Sequence, residues 1–208
     1  MKVIDFKSTI KWYDKNAKKY GSNLQPLLSQ DLADGFINLV GKNKTILDAG
    51  CAAGRDSDYF FNNGLNVIGV DLSDGLIKIA KEKYPKINFI KADFRKLPFN
   101  NDYFDGIWAY ASLVHMDKLE DTQSALSEFK RVLKKDGILY VYIKTNIKET
   151  DVVSDKLSSH PRFFRYYTKE QIEKLVTDLN FKIFSSDYSE DLVGRKEVQW
   201  FGIFARKN

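Results

Sequence analysis

Two different periods of apolar residues divide the chain. Before residue 44, Trp12, Tyr13, Ala17 and Tyr20, and then Leu28, Leu32, Phe36, Leu39 and Val40, recur at the spacing of one helix face. This predicts two amphipathic helices. From Lys44 onward, short apolar runs at 45–49, 66–70, 87–91, 104–109 and 138–143 alternate with amphipathic stretches, the pattern of a parallel sheet with crossover helices. Ser73 can cap a helix that ends before Pro85. Leu119, Thr122, Leu126, Phe129 and Leu133 form the stripe of another, expected to stop at Asp136-Gly137.

The last third breaks the alternation. Residues 146–167 make a long connection, after which a helix starts at Thr168 with Gln171 as its capping-box partner and buries Ile172, Leu175, Val176 and Leu179. Two further strands are expected at 181–185 and 198–205. In the second, both alternate sets (Val198, Trp200, Phe204 and Phe201, Ile203, Ala205) are apolar, which places it inside the sheet. A chain-terminal strand that is nevertheless internal must be inserted beside earlier ones, and a hairpin-like return over 186–196 makes it antiparallel. The expected fold is α/β and Rossmann-like: seven mostly parallel strands, an antiparallel last strand and helices on both faces.

Composition narrows the class without changing that picture. The 208 residues, 43% hydrophobic and 29% charged, suit one domain over 1–208, with 1–43 as a helical cover and 146–167 as a lid or substrate loop. One cysteine, Cys51, excludes an internal disulfide, and the first residues do not read as a signal peptide, so a cytoplasmic protein is expected. No apolar run approaches the roughly 20 residues of a membrane span, and no membrane partner is expected. The net charge of +5 is spread among alternating acids and bases, a hint of an anionic partner and equally the mark of a lysine-rich surface.

The candidate chemistry sits where strands end. Asp48 to Gly54 occupies the turn from the first strand into a helix, the context a glycine-rich nucleotide loop requires. Gly50 and Gly54 permit positive φ or close backbone approach, and the helix opening at Arg55 offers free N–H groups. A tight turn without a ligand would look the same. Asp71 ends the second strand, where an acid can accept both hydroxyls of a ribose or simply serve the next helix N-terminus. Asp93 ends the third beside Phe94, an amine acceptor next to a ring able to stack on a base. Three acids on one rim repel unless a cation or a hydroxyl-rich ligand joins them.

These residues resemble the class I S-adenosylmethionine-dependent methyltransferases, and the resemblance runs from about Trp12 to Lys207. It implies that the stretch Ile46 to Gly54, with Asp48, Gly50, Cys51 and Gly54, holds the methionine end of S-adenosylmethionine. It further implies Asp71 and Leu72 at the ribose, Asp93 and Phe94 at the adenine, and Arg55, Ala109 and Tyr20 around the same cofactor. Arg131 to Leu139 matches the helix-turn-strand segment before the fifth strand. Ala52 stands where the family's loop has its middle glycine; alanine adds only a methyl, and the loop is expected to keep its form. The Gly54-Arg55-Asp56-Ser57 stretch is similar to the branch that modifies small molecules, including tellurite-resistance and thiopurine-type enzymes. Ala109 to Ser112 lacks the paired prolines of enzymes that methylate nucleic-acid bases.

The expected reaction is an in-line displacement onto a small-molecule acceptor. A base is needed only where the nucleophile must lose a proton, and His115 is the candidate. Tyr13, Tyr166, Arg195 and Trp200 are the candidate substrate contacts. No metal is called for. A methyltransferase of RNA or protein, and a non-catalytic S-adenosylmethionine-binding module, are the alternatives, with nucleic acid possible as a partner but not favoured. A nicotinamide dehydrogenase fits poorly, because Asp48 lies inside the loop and Asp93 ends the third strand.

Overall fold

A computed structural model of the protein describes residues 4–23, 29–145, 151–153, 162–190 and 199–208. Two helices, α1 (Phe6–Asn23) and α2 (Gln30–Val40), precede the alternating part of the chain. That part runs β1 (Thr45–Ala49), α3 (Arg55–Asn62), β2 (Asn66–Asp71), α4 (Asp74–Lys83), β3 (Asn88–Lys91), β4 (Phe104–Tyr110), a single 3₁₀ turn (Leu113–His115), α5 (Leu119–Val132) and β5 (Leu133–Thr145). The remainder is β6 (Asp151–Val153), β7 (Arg162–Phe164), α6 (Lys169–Asp178), β8 (Phe181–Glu190) and β9 (Gln199–Lys207).

Seven strands form one sheet in the order β3-β2-β1-β4-β5-β9-β8. The first five are parallel, and β9 runs antiparallel to both β5 and β8. The insertion read from the two-faced apolar pattern of the last strand is therefore present. Successive residues Ile107, Trp108 and Ala109 are all fully buried, as are Leu139, Tyr140 and Val141, so both faces of the central strands are covered. Strand order reverses between β1 and β4, and at such a switch point the loops leave in opposite directions and open a crevice at the carboxyl ends.

Local signals set several element ends. The Ser73 hydroxyl accepts from Leu76 N–H at 3.1 Å and starts α4, and Thr168 with Gln171 closes both halves of a capping box at α6. Gly106 lets α2 approach β4: a Cβ there would lie 2.7 Å from Val40 and 2.9 Å from Phe36. Phe36, Phe60 and Trp108 meet in that contact with ring centroids 5.1–5.5 Å apart, each side chain contributing about 1.5–3 kcal/mol of burial.

Three expectations need correction. Helix α5 stops at Val132, four residues early: Leu133 already pairs with Phe104, and the next register pair is Gly106 with Ile138, so 134–137 bulge out with Asp136 at φ 62°. Leu119, counted in its buried stripe, is 36% exposed at the first turn. Strand β8 continues to Glu190, because Ser186 to Glu190 keep pairing with β9 where a return was expected; 191–198 lie outside the described residues. Within the long connection, β6 and β7 pair antiparallel, and Tyr167 bridges to Thr145.

Candidate active site

The loop after β1 is shaped by the strand beside it. Gly50 and Cys51 N–H both donate to the Val70 carbonyl, at 2.8 and 3.0 Å, and the chain turns through positive φ at Gly50 (87°), Ala52 (47°) and Gly54 (84°). An alanine in that region costs about 1–2 kcal/mol. Asp71 offsets the cost: its Oδ2 accepts Ala52 N–H at 3.0 Å while Oδ1 accepts Ser73 N–H at 2.9 Å. The acid at the end of β2 thus shapes the loop after β1. Burial pushes its carboxyl up to about 6, against the pull of the Ser73, Ala52 and Leu72 N–H groups.

Deeper in the crevice lies a second acid pair. Asp48 is 3% exposed and accepts from the Ser57 hydroxyl at 2.6 Å. Burial, reinforced by repulsion from Asp56, pushes it up to about 8. Asp56, also buried, takes Arg55 Nε on one oxygen and Trp108 Nε1, at 3.0 Å, on the other. Arg55 in turn sits 6.0 Å from the Tyr110 ring. The sequence reading did not assign Asp56 a role; its signal was position, in the first turn of the helix that opens at the loop.

The glycines have separate reasons. A Cβ on Gly50 would lie 2.4 Å from that of Ser112, which follows β4 with a buried hydroxyl that has no partner among the described residues. A Cβ on Gly54 would meet the Phe89 ring at 2.7 Å, so this glycine serves packing. The Cys51 thiol is buried, pushed up by that burial, and acts as a small core group.

The third acid is placed differently from the expectation. Asp93 is clasped by Arg95, whose Nε lies 3.0 Å from each carboxylate oxygen and whose Nη2 lies 2.6 Å from Oδ2; Nη1 reaches Asp121 at 2.9 Å. Phe94 turns away from the crevice into the core, its ring 5.8 Å from Phe129, so base stacking on that ring falls away. Packing against α5 decided its direction. Ala109 is fully buried in β4 and Leu72 is half-buried beside Asp71.

Helix α1 roofs the loop. Tyr13, Ala17, Ala53 and Leu76 form a small cluster with Trp12 and Tyr20 packed on it, and Tyr20 lies 4.8 Å from Tyr13. His115 ends the turn after β4 and is hydrogen-bonded through both ring nitrogens, Nε2 to the Tyr13 hydroxyl and Nδ1 to the Phe163 carbonyl, each at 2.9 Å. Burial, helped by Arg162 and Lys144, pushes its pKa down to about 3. The Nε2 lone pair of the neutral ring is already engaged by the Tyr13 hydroxyl, and the lowered pKa leaves the ring a weak proton acceptor, a poor match to a general base. Trp200 lies flat on Tyr142, 4.9 Å away, and Tyr166 is buried within 5.8 Å of the Lys144 ammonium. Lys144 and Arg162, both buried, face the rings of Phe164, Tyr166 and Trp200 and of Trp12, Tyr13 and Tyr20. Lys144 carried no sequence signal beyond being a lysine at the end of an apolar strand. Arg195 lies outside the described residues. No group of three His, Cys, Asp or Glu able to hold a metal ion occurs among the described residues.

Residues 47–141 match the methyltransferase-domain family. Among curated relatives, the ubiquinone/menaquinone biosynthesis C-methyltransferase of Campylobacter jejuni is 43% identical over 79 residues, 38% of this chain and 32% of that protein. The malonyl-[acyl-carrier protein] O-methyltransferase of Hamiltonella defensa is 28% identical over 154 residues, 72% of this chain and 58% of that one. The chain thus spans between about a third and three fifths of the length of these two relatives. Among solved structures, the Burkholderia thailandensis 1,6-didemethyltoxoflavin N1-methyltransferase, with its substrate and S-adenosylhomocysteine bound, superposes with TM-score 0.76 at 18% identity, covering 97% of this chain and 86% of that one. A Methanosarcina mazei S-adenosylmethionine-dependent methyltransferase gives 0.75 at 22% identity, covering 82% and 95%. At these identities the likeness is one of fold.

Proposed function

Proceeding from the match of residues 47–141 to the methyltransferase-domain family, we propose that the protein moves a methyl group from S-adenosylmethionine to a small-molecule acceptor. The observation that carries the reading is the joint geometry of the loop and the rim. Asp71 fixes the Gly50 to Gly54 turn through Ala52 N–H, and both of its oxygens keep a lone pair for hydroxyl groups. The residues suit this cofactor on three counts: the buried Asp48, raised in pKa by burial and by Asp56, which a cationic ligand relieves; an orphaned Ser112 hydroxyl facing the loop; and the Asp71 carboxylate at the ribose position.

Asp71 would hold the ribose hydroxyls, with Leu72 against the sugar. Gly50, Cys51 and the N-terminus of α3 with Arg55 would hold the methionine portion, and Asp48 with Asp56 would face its positive charge. Asp93, Ala109 and Tyr20 complete the proposed cofactor contacts, Asp93 as part of its pair with Arg95 and Phe94 through its main chain alone. When bound, S-adenosylmethionine supplies an electrophilic methyl group on a sulfonium. The protein's own share is to align, to exclude water and to keep the crevice dry, effects able to supply roughly 7–11 kcal/mol. Tyr13, Tyr166, Trp200 and Arg195 are the proposed acceptor contacts. A small acceptor is supported by the roof that α1 makes over the loop and by the low-molecular-weight substrate of the toxoflavin enzyme.

Titration calorimetry tests the reading. S-adenosylhomocysteine is expected to bind and NAD is not, since the crevice presents carboxylates where a pyrophosphate would lie. Asp71→Ala should weaken S-adenosylhomocysteine by about 1.5–3 kcal/mol, the worth of hydrogen bonds to a charged group, plus the cost of a loosened loop. Unchanged affinity would remove Asp71 from the site.

A further inference from the structure

Helix α1 is fastened at two places. Toward the loop, Asp14 Oδ1 accepts from the Ser73 hydroxyl at 2.7 Å and from Gly75 N–H at 3.1 Å, and a Cβ on Gly21 would stand 2.8 Å from that of Ala53. Toward β7, the Tyr13 hydroxyl accepts Arg162 Nη1 at 2.7 Å and reaches His115 Nε2, while Thr9 Oγ1 accepts Phe163 N–H at 3.0 Å. Since a carbonyl only accepts, His115 Nδ1 carries the hydrogen toward Phe163 O, and the lone pair on Nε2 takes the Tyr13 hydroxyl proton. Among the described residues of the turn after β4, His115 is thus the side chain that bonds directly to both α1 and β7.

We propose that His115 is a positioning residue: by fixing the Tyr13 hydroxyl it holds α1 down over the cofactor loop and against β7. Taking a proton would require the ring to break the Tyr13 bond and to carry a charge among Tyr13, Arg162, Lys144 and the Phe164 face, 4.8 Å away. Holding the bond satisfies the buried Tyr13 hydroxyl and the half-buried imidazole. The kinetic consequences rest on the methyl-transfer reading; the mechanical one does not.

The test joins amide hydrogen exchange in residues 6–23 with S-adenosylhomocysteine affinity and a turnover profile from pH 6 to 9, in the whole protein. Tyr13→Phe and His115→Ala should each speed exchange in α1 and weaken S-adenosylhomocysteine by about 5- to 10-fold, as loss of one hydrogen bond does. The double variant should be no worse than either single one, because both remove the same bond. His115→Gln, whose amide oxygen can accept the Tyr13 hydroxyl but cannot titrate, should recover to within about threefold, with the pH profile unchanged in shape. Loss of a pH limb together with a fall of about 100-fold or more in His115→Gln would make the residue a base and overturn the proposal. Unchanged α1 exchange in Tyr13→Phe, which removes only a hydroxyl and tests the bond even where His115→Ala fails to fold, would overturn it too. Should wild type bind no S-adenosylhomocysteine, the methyltransferase reading fails while the exchange measurement still decides the positioning role.

Discussion

Asp48 shows how one buried side chain couples this site to pH. Its carboxyl is pushed from 3.8 up to about 8 in the folded protein, by burial first and by Asp56 second. An acid whose folded pKa lies above its unfolded one favours folding while protonated, so its contribution is complete below pH 3.8 and is lost as pH rises through about 8. The ligand-free protein should therefore lose melting temperature between pH 5 and 9. Asp48→Asn, which keeps an oxygen for the Ser57 hydroxyl, should lose several degrees less over the same range and match wild type only near pH 4 and below. Differential scanning calorimetry across that range is the check, and parallel curves for the two proteins would sink the argument.

At the scale of elements, the docking of α1 on α4 is a contest between propensity and packing. Gly75 lies in the first turn of α4, where alanine would ordinarily stabilise the helix by up to about 1 kcal/mol. A Cβ there would stand 2.8 Å from the Asp14 carbonyl oxygen and 2.9 Å from the Ala17 Cβ. Overpacking of this kind costs about 1–3 kcal/mol, more than propensity returns. Gly75→Ala is expected to lower the melting temperature by about 2–4 °C and to weaken S-adenosylhomocysteine, because α1 is lifted from the loop. A rise in melting temperature would mean that α1 follows the helix at no cost.

For the whole molecule, the question is where the positive charge goes. Among the described basic side chains, Arg55, Lys144 and Arg162 are turned inward against aromatic rings or acids, and along the sequence the 33 bases are interspersed with 28 acids. No described helix is long and apolar enough to cross a membrane. With a small acceptor under α1, methyl transfer from labelled S-adenosylmethionine into a low-molecular-weight extract should change little between 50 and 200 mM salt. Transfer to RNA through four phosphate contacts, at a slope of about 0.7 each, would fall roughly 50-fold over the same range. Label appearing in RNA with that steep loss would replace the small-molecule reading.

The succession of strands and helices along the chain, the caps at Ser73 and Thr168, the inserted antiparallel β9 and the acid-glycine turn were all legible in the sequence. Each rests on local periodicity or on a residue whose chemistry acts within a few positions. The aim of individual side chains was not. Phe94 had the position of a base-stacking ring, yet Phe129 of α5 drew it into the core; that Gly54 must also make room for Phe89 of β3 could not be read from its loop. The end of α5 and the length of β8 were set by pairing with strands distant in sequence. His115 was identified by residue type and place, but its role depends on Tyr13, 102 residues away, and on Phe163, 48 away. The sequence by itself determined which elements form and which chemistry gathers at the strand ends, because those are short-range properties. Protonation, orientation and the closure of α1 were decided only by tertiary structure, because burial and hydrogen-bond partners arise where segments remote in the chain are brought together.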